Sequence, residues 1–127
     1  MPLVRLSLLR GKPRAYRDAI VDNVYQAMHE SFNVPKDDLF MIVSQHEPED
    51  LIFDRHYMGM ERSDDFVVIQ LSVSNTRNQA QKNALFARIV ERLQVNPGIR
   101  PDDVLIHLLE GDKGNWSFGR ELAQYVL

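Results

Sequence analysis

Apolar residues recur along the chain at spacings that predict a strand, a helix and a strand, followed by the same three elements again. Leu3 to Leu9 is a short apolar run, which predicts a strand that ends in a turn containing glycine and proline. From about Ala15 to Phe32 the apolar side chains form one helical stripe, and Pro35 lies just beyond its end. The five apolar residues from Leu39 to Val43 predict a buried strand.

The second half of the chain repeats this order of elements. Phe66 to Val73 predicts a strand, and the apolar spacing from about Gln79 to Gln94 predicts a helix. Val104 to Leu109 is the last predicted strand. Between the halves, the polar segment from Gln45 to Asp65 is compatible with a short strand or hairpin, and a short helical run is predicted from Arg120 to Val126.

The two halves align on a constant offset of 65 residues without a gap. Ser7 falls on Ser72 and Asp38 falls on Asp103, each inside a stretch with matching apolar neighbours. Such agreement indicates duplication of a β-α-β unit. We therefore interpret the chain as one domain, residues 1–127, with repeat halves of about 2–64 and 65–127.

A β-α-β unit brings its two strands parallel through a right-handed helical crossover. Two such units predict an α/β (α+β) fold with a four-stranded, mainly parallel sheet and both helices on one face. The run from Phe66 to Ile69 is apolar on both sides of its strand, so the other sheet face also needs cover. Neighbouring copies of the chain would provide it, which predicts an oligomer.

The composition narrows the class of protein. A hydrophobic content of 44% and a charged content of 26% are typical of a soluble globular domain, and the absence of cysteine excludes disulfides and thiolate chemistry. Fifteen basic and 18 acidic residues are interspersed, which argues against a nucleic-acid partner. Because no stretch has the composition of a membrane span or a signal peptide, we expect a cytoplasmic protein without a membrane partner.

Pro2 is the first candidate for chemistry. Methionine is usually removed before a small second residue, and removal here leaves a secondary amine at the start of a strand. Amino termini titrate near pH ~7.7–8, and desolvation lowers the pKa of an amine further, so this group would serve as a base near neutral pH. Because Pro2 leads directly into the strand from Leu3, its nitrogen would be held on a rigid element.

With these features the chain resembles the tautomerase superfamily, and within it the subgroup of malonate semialdehyde decarboxylase. The resemblance covers nearly the whole chain and implies a homotrimer of duplicated β-α-β units whose amino-terminal proline is the catalyst. Besides the proline start, it rests on Val34-Pro35 followed by Asp38, Val43-Ser44-Gln45-His46 followed by Pro48, Gln81-Lys82, Pro101-Asp102-Asp103-Val104 and Trp116-Ser117-Phe118-Gly119.

The resemblance also implies roles for individual residues. Pro2 corresponds to the catalytic proline, and Asp38 to an aspartate that activates water or tunes the proline. Arg77 corresponds to an arginine that binds the substrate carboxylate, which suits the two parallel hydrogen bonds of a guanidinium. The alternatives are a turn-capping role for Asp38, since Asp103 has the same local sequence without a nearby catalytic group, and a solvated surface position for Arg77.

The chain departs from this subgroup at Asn75. The subgroup has two arginines in the loop, and Asn75 replaces the first, so it can bind a carbonyl or carboxylate but supplies no charge. This weakens the expectation of decarboxylation more than that of proton transfer. Trp116 and Phe118 correspond to aromatic residues near the pocket, where they would bind substrate and keep Pro2 desolvated. Their alternative is a role in the core or in oligomer contacts.

The leading functional prediction is a tautomerase that acts on small keto and enol carboxylic acids. A second prediction keeps the site but changes the reaction, to decarboxylation of malonate semialdehyde or hydration of an unsaturated acid. A third is a non-catalytic trimeric binding module. The sequence has no phosphate-binding loop, nucleophile elbow, EF-hand or metal-spaced histidine pair, so we expect no cofactor and no metal.

Overall fold

The computed structural model describes residues 2–127, so the question of whether Met1 is removed lies outside the described residues. The chain has four strands and two long helices, and α2 begins 65 residues after α1. The elements are β1 (Leu3–Leu9), α1 (Arg14–Phe32), β2 (Met41–His46), β3 (Val67–Ser74), α2 (Gln79–Val95) and β4 (Val104–Gly111).

The strands form one sheet in the order β2-β1-β3-β4. β1 pairs in parallel with β2, and β3 pairs in parallel with β4, so each half of the chain is a β-α-β unit. The two units meet along β1 and β3, which pair antiparallel with Leu3 opposite Ser72. The predicted four-stranded, mainly parallel sheet is therefore confirmed, and its central pair is antiparallel.

One hydrophobic core lies between the sheet and the two helices. Alternate residues of the central strands are buried in it, because successive strand residues point to opposite faces of a sheet. Ile20 and Val24 of α1 and Leu85 and Ile89 of α2 pack against them, which confirms that both helices cover one face. The strand residues in this core are Val4, Leu6, Leu8, Val67, Ile69, Leu71 and Val73.

Local signals fix the ends of the helices near the candidate site. α1 ends because Asn33 adopts a left-handed conformation with φ of 54°, and its backbone N–H donates to the carbonyl of Met28. α2 begins with a capping box, in which Asn78 and Gln81 each accept a backbone N–H of the other. None of the described helices combines the length and apolar character needed to cross a membrane.

The second strand is shifted from its predicted position. It runs from Met41 to His46 rather than from Leu39 to Val43. Leu39 and Phe40 are each 46% exposed, and the Phe40 ring packs against Phe118 instead of entering the core. The prediction was wrong because an apolar run was interpreted as buried. β2 is an edge strand, and it extends to the polar residues Ser44, Gln45 and His46 because each of them pairs with a residue of β1.

Two further sequence predictions need correction. The segment from Arg120 forms a single 3-10 turn at Gln124–Val126 rather than a helical run. Arg120 and Glu121 both have φ of 58°, and left-handed residues interrupt a right-handed helix. Between His46 and β3, the described residues contain a 3-10 turn at Tyr57–Gly59 and no strand or hairpin.

The linker between the halves is fixed to the second unit by Asp103. This carboxylate is fully buried and accepts hydrogen bonds from the backbone N–H of Ser63 at 2.7 Å and from its hydroxyl at 2.6 Å. Both bonds are charge-assisted and shielded from water, which makes them stronger than exposed hydrogen bonds. Asp103 therefore has a structural role, which is to fix the linker at Ser63, whereas the role considered for Asp38 was to cap a turn.

We expect Asp103→Asn to lower the free energy of unfolding by about 2 kcal/mol, because the amide cannot accept both hydrogen bonds and leaves a buried donor unpaired. Urea unfolding followed by circular dichroism measures the change. Asp37→Asn is the control, since Asp37 is exposed and its substitution should leave the midpoint almost unchanged. An equal midpoint for both variants would contradict the role of Asp103.

Candidate functional site

The candidate site lies where the start of β1 meets the end of β3. The backbone N–H of Val4 donates to the carbonyl of Phe40 at 2.9 Å, while Leu3 lies opposite Ser72 on the other side. Pro2 directly precedes this pair of contacts and is buried. It therefore lies between the segment that leads into β2 and the loop that follows β3.

A polar cavity of about 230 Å³ opens at this end of the sheet. It brings together residues from the end of α1, from the segment before β2, from the loop after β3 and from the C-terminal region. Asp38 and Arg77, two of the residues predicted from sequence, both line it. The other lining residues are Asn33, Val34, Pro35, Ser74, Thr76, Lys113 and Tyr125.

Asp38 is a buried carboxyl group that lines this cavity. It is 4% exposed, and neither of its carboxylate oxygens has a hydrogen-bond partner among the described residues. Burial raises the pKa of Asp38, and the positive charge of Arg77 only partly opposes this shift. An unpaired buried carboxyl costs stability, so its position favours a role toward a ligand or a water.

Arg77 is held in place by the end of α1. Its Nη2 donates to the carbonyl of Phe32 at 2.7 Å, and its guanidinium carbon lies 4.2 Å from the centre of the Phe32 ring. Burial lowers the pKa of Arg77, while the negative charge of Asp38 raises it. A guanidinium has five N–H donors, so this anchoring leaves donors for a bound carboxylate.

Tyr125 is a site residue that the sequence analysis missed. Its hydroxyl is buried without a hydrogen-bond partner among the described residues and lies in the same cavity. Burial raises the pKa of Tyr125, and the charge of Asp38 raises it further while Arg77 lowers it. The available sequence signal was an aromatic residue shortly after Trp116 and Phe118, which does not reveal that the C-terminal segment turns back to the sheet.

The predicted aromatic residues form a wall beside the polar cavity. The rings of Trp116 and Phe118 are stacked, with centres 5.4 Å apart and an angle of 4° between their planes. Phe118 also contacts Phe40 at 5.8 Å and Tyr125 at 5.2 Å. With Leu3, the rings of Phe40, Trp116 and Phe118 line a second cavity of about 450 Å³.

Asn75 does not join the other predicted site residues. Its side-chain Nδ2 donates to Asp112 Oδ1 at 2.9 Å, and its backbone N–H donates to Gly111 at 3.1 Å. The residue is exposed and lines neither of the two cavities. Its predicted contact with substrate stays a prediction, and the observed bonds give it a role in fixing the loop.

The cavity is suited to binding an anion and moving protons. Arg77 and Lys113 supply positive charge, while Asp38 and Tyr125 supply groups that accept or donate protons. Within residues 2–127, no group of three or more side chains of metal-binding type is found that could hold a metal ion. The arrangement fits a small carboxylic acid that reacts by proton transfer.

Two family models, each described as a tautomerase enzyme, match residues 2–61 and 38–119. The probable tautomerase YusQ from Bacillus subtilis strain 168 is 32% identical to this chain over 126 residues, which cover 99% of both proteins. Similarity therefore extends along nearly the whole length of the chain.

The chain is also similar to two solved structures of malonate semialdehyde decarboxylase. One, described with decarboxylase and hydratase activities, has 31% identity and a TM-score of 0.91, covering 98% of this chain and 95% of that one. The other, an FG41 enzyme inhibited by 3-bromopropiolate, has 35% identity and a TM-score of 0.91 over 98% and 94%. A fused 4-OT protein solved as a symmetric trimer shares the fold, at 17% identity and a TM-score of 0.78 over 94% of both chains.

The unpaired Asp38 carboxyl leads to a prediction about stability. Because its folded pKa is raised, ionisation of Asp38 opposes folding above that pKa. We expect Asp38→Asn to raise the free energy of unfolding by about 1 kcal/mol at pH 7. Below the pKa of an unfolded aspartate, about 3.9, the Asp38 carboxyl is neutral in both the folded and the unfolded state. The gain in stability should therefore disappear at such low pH.

Urea unfolding at pH 7 and at low pH measures this effect. Asp103→Asn is the matched control, because the equivalent carboxylate in the second half accepts two hydrogen bonds and its loss should destabilise the protein. If both variants lose stability to the same extent at pH 7, Asp38 has a partner and is not held open for a ligand.

Proposed function

The chain belongs to the tautomerase family, and on this premise we propose that it is a cofactor-independent tautomerase of small keto and enol carboxylic acids, with Pro2 as the acid–base catalyst. The observation that carries the proposal is the buried Asp38 carboxyl, which has no hydrogen-bond partner among the described residues and shares a cavity with Arg77 at the end of the sheet where Pro2 precedes β1. A proton-transfer site needs a base and an anion-binding group. Arg77 and Lys113 line the cavity, and Pro2, which is not among its lining residues, is buried at the same end of the sheet.

The reaction moves one proton within the substrate. The amine of Pro2 takes the proton from the enol hydroxyl, and the electrons of that O–H bond form the carbonyl as the double bond shifts. The protonated Pro2 then returns the proton to carbon, which forms the C–H bond and gives the keto acid. The amine is neutral again at the end of the cycle, so the reaction needs no further reagent.

The other cavity residues bind and orient the acid. Arg77 and Lys113 attract the carboxylate, and their charge stabilises the enolate that develops during transfer. Asp38 tunes the charge near Pro2 or holds a water. The Tyr125 hydroxyl, which has no hydrogen-bond partner in residues 2–127, is available to donate to the carbonyl oxygen. This assigns to Tyr125 the task that the sequence suggested for Asn75.

A second candidate function uses the same residues for decarboxylation or hydration. It is favoured by the similarity to malonate semialdehyde decarboxylase, which includes a structure described with both decarboxylase and hydratase activities. In that reaction Pro2 acts as an acid and Asp38 activates water. Two observations oppose it: Asn75 supplies no charge, and its side chain donates to Asp112 and does not line the cavity.

The proposed function includes a homotrimer. On the sheet face away from the helices, Ile42 and Leu109 are 40% and 45% exposed, and contact between copies would bury them. The fused 4-OT trimer of the same fold supports this assembly.

Analytical ultracentrifugation tests the trimer. We expect a mass of about three times the chain mass of 14.7 kDa for the wild type, and a lower mass for Ile42→Asp. Val95→Asp, on the exposed end of α2, should leave the mass unchanged, and a monomeric wild type would refute the trimer.

The catalytic proposal is tested by Pro2→Ala in a phenylenolpyruvate ketonisation assay, with intact mass spectrometry of each protein. We expect the wild type to lack Met1 and the variant to lose about 10²–10⁴-fold in kcat/KM, the usual contribution of a positioned acid–base group. Pro48→Ala is the matched control, because Pro48 is exposed and remote from the cavity, and it should retain full activity.

Three outcomes separate the candidate functions. Activity that is indifferent to Pro2, or a retained Met1 that blocks the amine, overturns the catalytic proposal and favours a binding module. Turnover of malonate semialdehyde without enol ketonisation favours the decarboxylase. Pro2-dependent ketonisation of phenylenolpyruvate or 2-hydroxymuconate supports the tautomerase.

A further inference from the structure

The two cationic side chains of the polar cavity come from different loops. Arg77 belongs to the loop after β3, and Lys113 begins the 3-10 turn that follows β4. Arg77 is committed in part to the chain itself, because its guanidinium donates to the carbonyl of Phe32. Lys113 is exposed and forms no ion pair within residues 2–127, whereas Lys12 and Lys82 are each paired with a carboxylate. The charge of Lys113 is therefore available to a bound anion.

Asn75 joins these two loops. Its backbone N–H donates to the carbonyl of Gly111 at 3.1 Å, and its side-chain Nδ2 donates to Asp112 Oδ1 at 2.9 Å. Ser74 and Gly111 are the last residues paired between β3 and β4, so the two bonds of Asn75 extend the connection between the strands beyond the sheet. They fix the chain directly before Lys113, which is the residue after Asp112.

A fixed backbone matters for a lysine in particular. An ammonium group is a compact charge at the end of a flexible stem, so its position depends on where the backbone holds that stem. The carboxylate of the preceding residue, Asp112, would compete for this charge if it were unoccupied. One of its oxygens instead accepts the amide of Asn75, and Asp112 forms no ion pair with Lys113. Asn75 thus holds the loop and occupies the competing carboxylate.

We propose that Lys113 is a substrate-binding residue whose ammonium group holds the substrate carboxylate together with Arg77, and that Asn75 and Asp112 are the residues that position it. The inference rests on the proposed function for the acid that is bound. It assigns the second positive charge of the site to the loop after β4, whereas the family resemblance implies an arginine at the position of Asn75. Asn75 acts through Lys113 and makes no contact with the substrate.

Steady-state ketonisation of phenylenolpyruvate measures the contribution of Lys113. We expect Lys113→Gln to raise KM about 10-fold, the loss that follows from removing one charge-assisted hydrogen bond, with a smaller change in kcat. The substrate carboxylate is charged in both the ground state and the transition state, so the loss falls mainly on binding. Lys113→Arg retains the charge and should keep KM within about 3-fold of the wild type.

Lys36→Gln is the matched control. Lys36 is exposed and lies in the segment before β2, next to the lining residue Pro35, but does not itself line the cavity. Its loss removes the same charge close to the site and should leave KM unchanged. An equal rise in KM for Lys36→Gln and Lys113→Gln would indicate a general effect of charge and overturn the contact, as would a Lys113→Gln variant with the KM of the wild type.

A double-mutant cycle tests whether Asn75 acts through Lys113. We expect Asn75→Ala to raise KM, and the double variant with Lys113→Gln to have the same KM as Lys113→Gln alone, because residues that act through one contact are not additive. If the two effects multiply in variants that remain folded by circular dichroism, Asn75 contacts the substrate itself and its positioning role is wrong. An Asn75→Ala variant with the KM of the wild type also overturns that role.

Binding of trimethylpyruvate separates this inference from the proposed function. This 2-oxo acid carries no hydrogen on the carbon beside its ketone, so it binds without keto–enol proton transfer, and isothermal titration calorimetry gives its Kd for each variant. The same coupling in Kd without turnover of phenylenolpyruvate supports the Lys113 site and refutes the tautomerase. Turnover by the wild type, together with a Kd that Lys113→Gln does not alter, retains the tautomerase and overturns the inference.

Discussion

The antiparallel pairing of β1 with β3 is the constraint on which the site depends. Because these strands run in opposite directions, the start of β1 lies beside the loop after β3, and the end of β1 lies beside the segment before β3. Each end of the sheet therefore receives a cationic loop residue and an aspartate that precedes an edge strand. These are Arg77 and Asp38 at one end, and Lys12 and Asp103, both close to Tyr16, at the other.

The two ends differ in what fills them. At the Asp103 end the linker closes the space, since Ser63 donates two hydrogen bonds to the carboxylate and Asp65 forms an ion pair with Lys12. Burial and the charges of Asp65 and Asp103 raise the pKa of Tyr16 to about 12 there, so its hydroxyl stays neutral. At the Asp38 end no linker enters, and the buried carboxyl has no partner among the described residues. The duplicated units thus differ in their buried carboxyl groups: Asp103 is hydrogen-bonded within the chain, and Asp38 has no partner among the described residues. A local loss of stability of this kind is expected at a functional site.

The sequence allowed prediction of those features that depend on local periodicity, and missed those that depend on distant contacts. α1 was expected at Ala15 to Phe32 and runs from Arg14, because the apolar stripe that binds it to the sheet is a property of the segment itself. β2 was misplaced because Phe40 packs against Phe118, a contact across more than half the chain. Asp38 and Arg77 were named through the family resemblance, and the strand pairing explains why they meet. Tyr125 could not be named, since its position follows from how the C-terminal segment folds back, and the Asn75 bond to Asp112 joins two loops.

The electrostatics of the polar cavity around Asp38 and Arg77 bear on which proton chemistry is favoured. An ionised carboxylate beside an amine raises the pKa of that amine and stabilises its protonated form, which suits an acid in hydration. Burial raises the pKa of Asp38, so this carboxyl holds its proton more readily than an exposed aspartate and its effect on a neighbouring amine is weaker. Arg77 and Lys113 line the same cavity, and their positive charge disfavours a further cation beside them. For the proposed Pro2 catalyst, both effects act toward the neutral amine, which is the form that takes a proton from an enol.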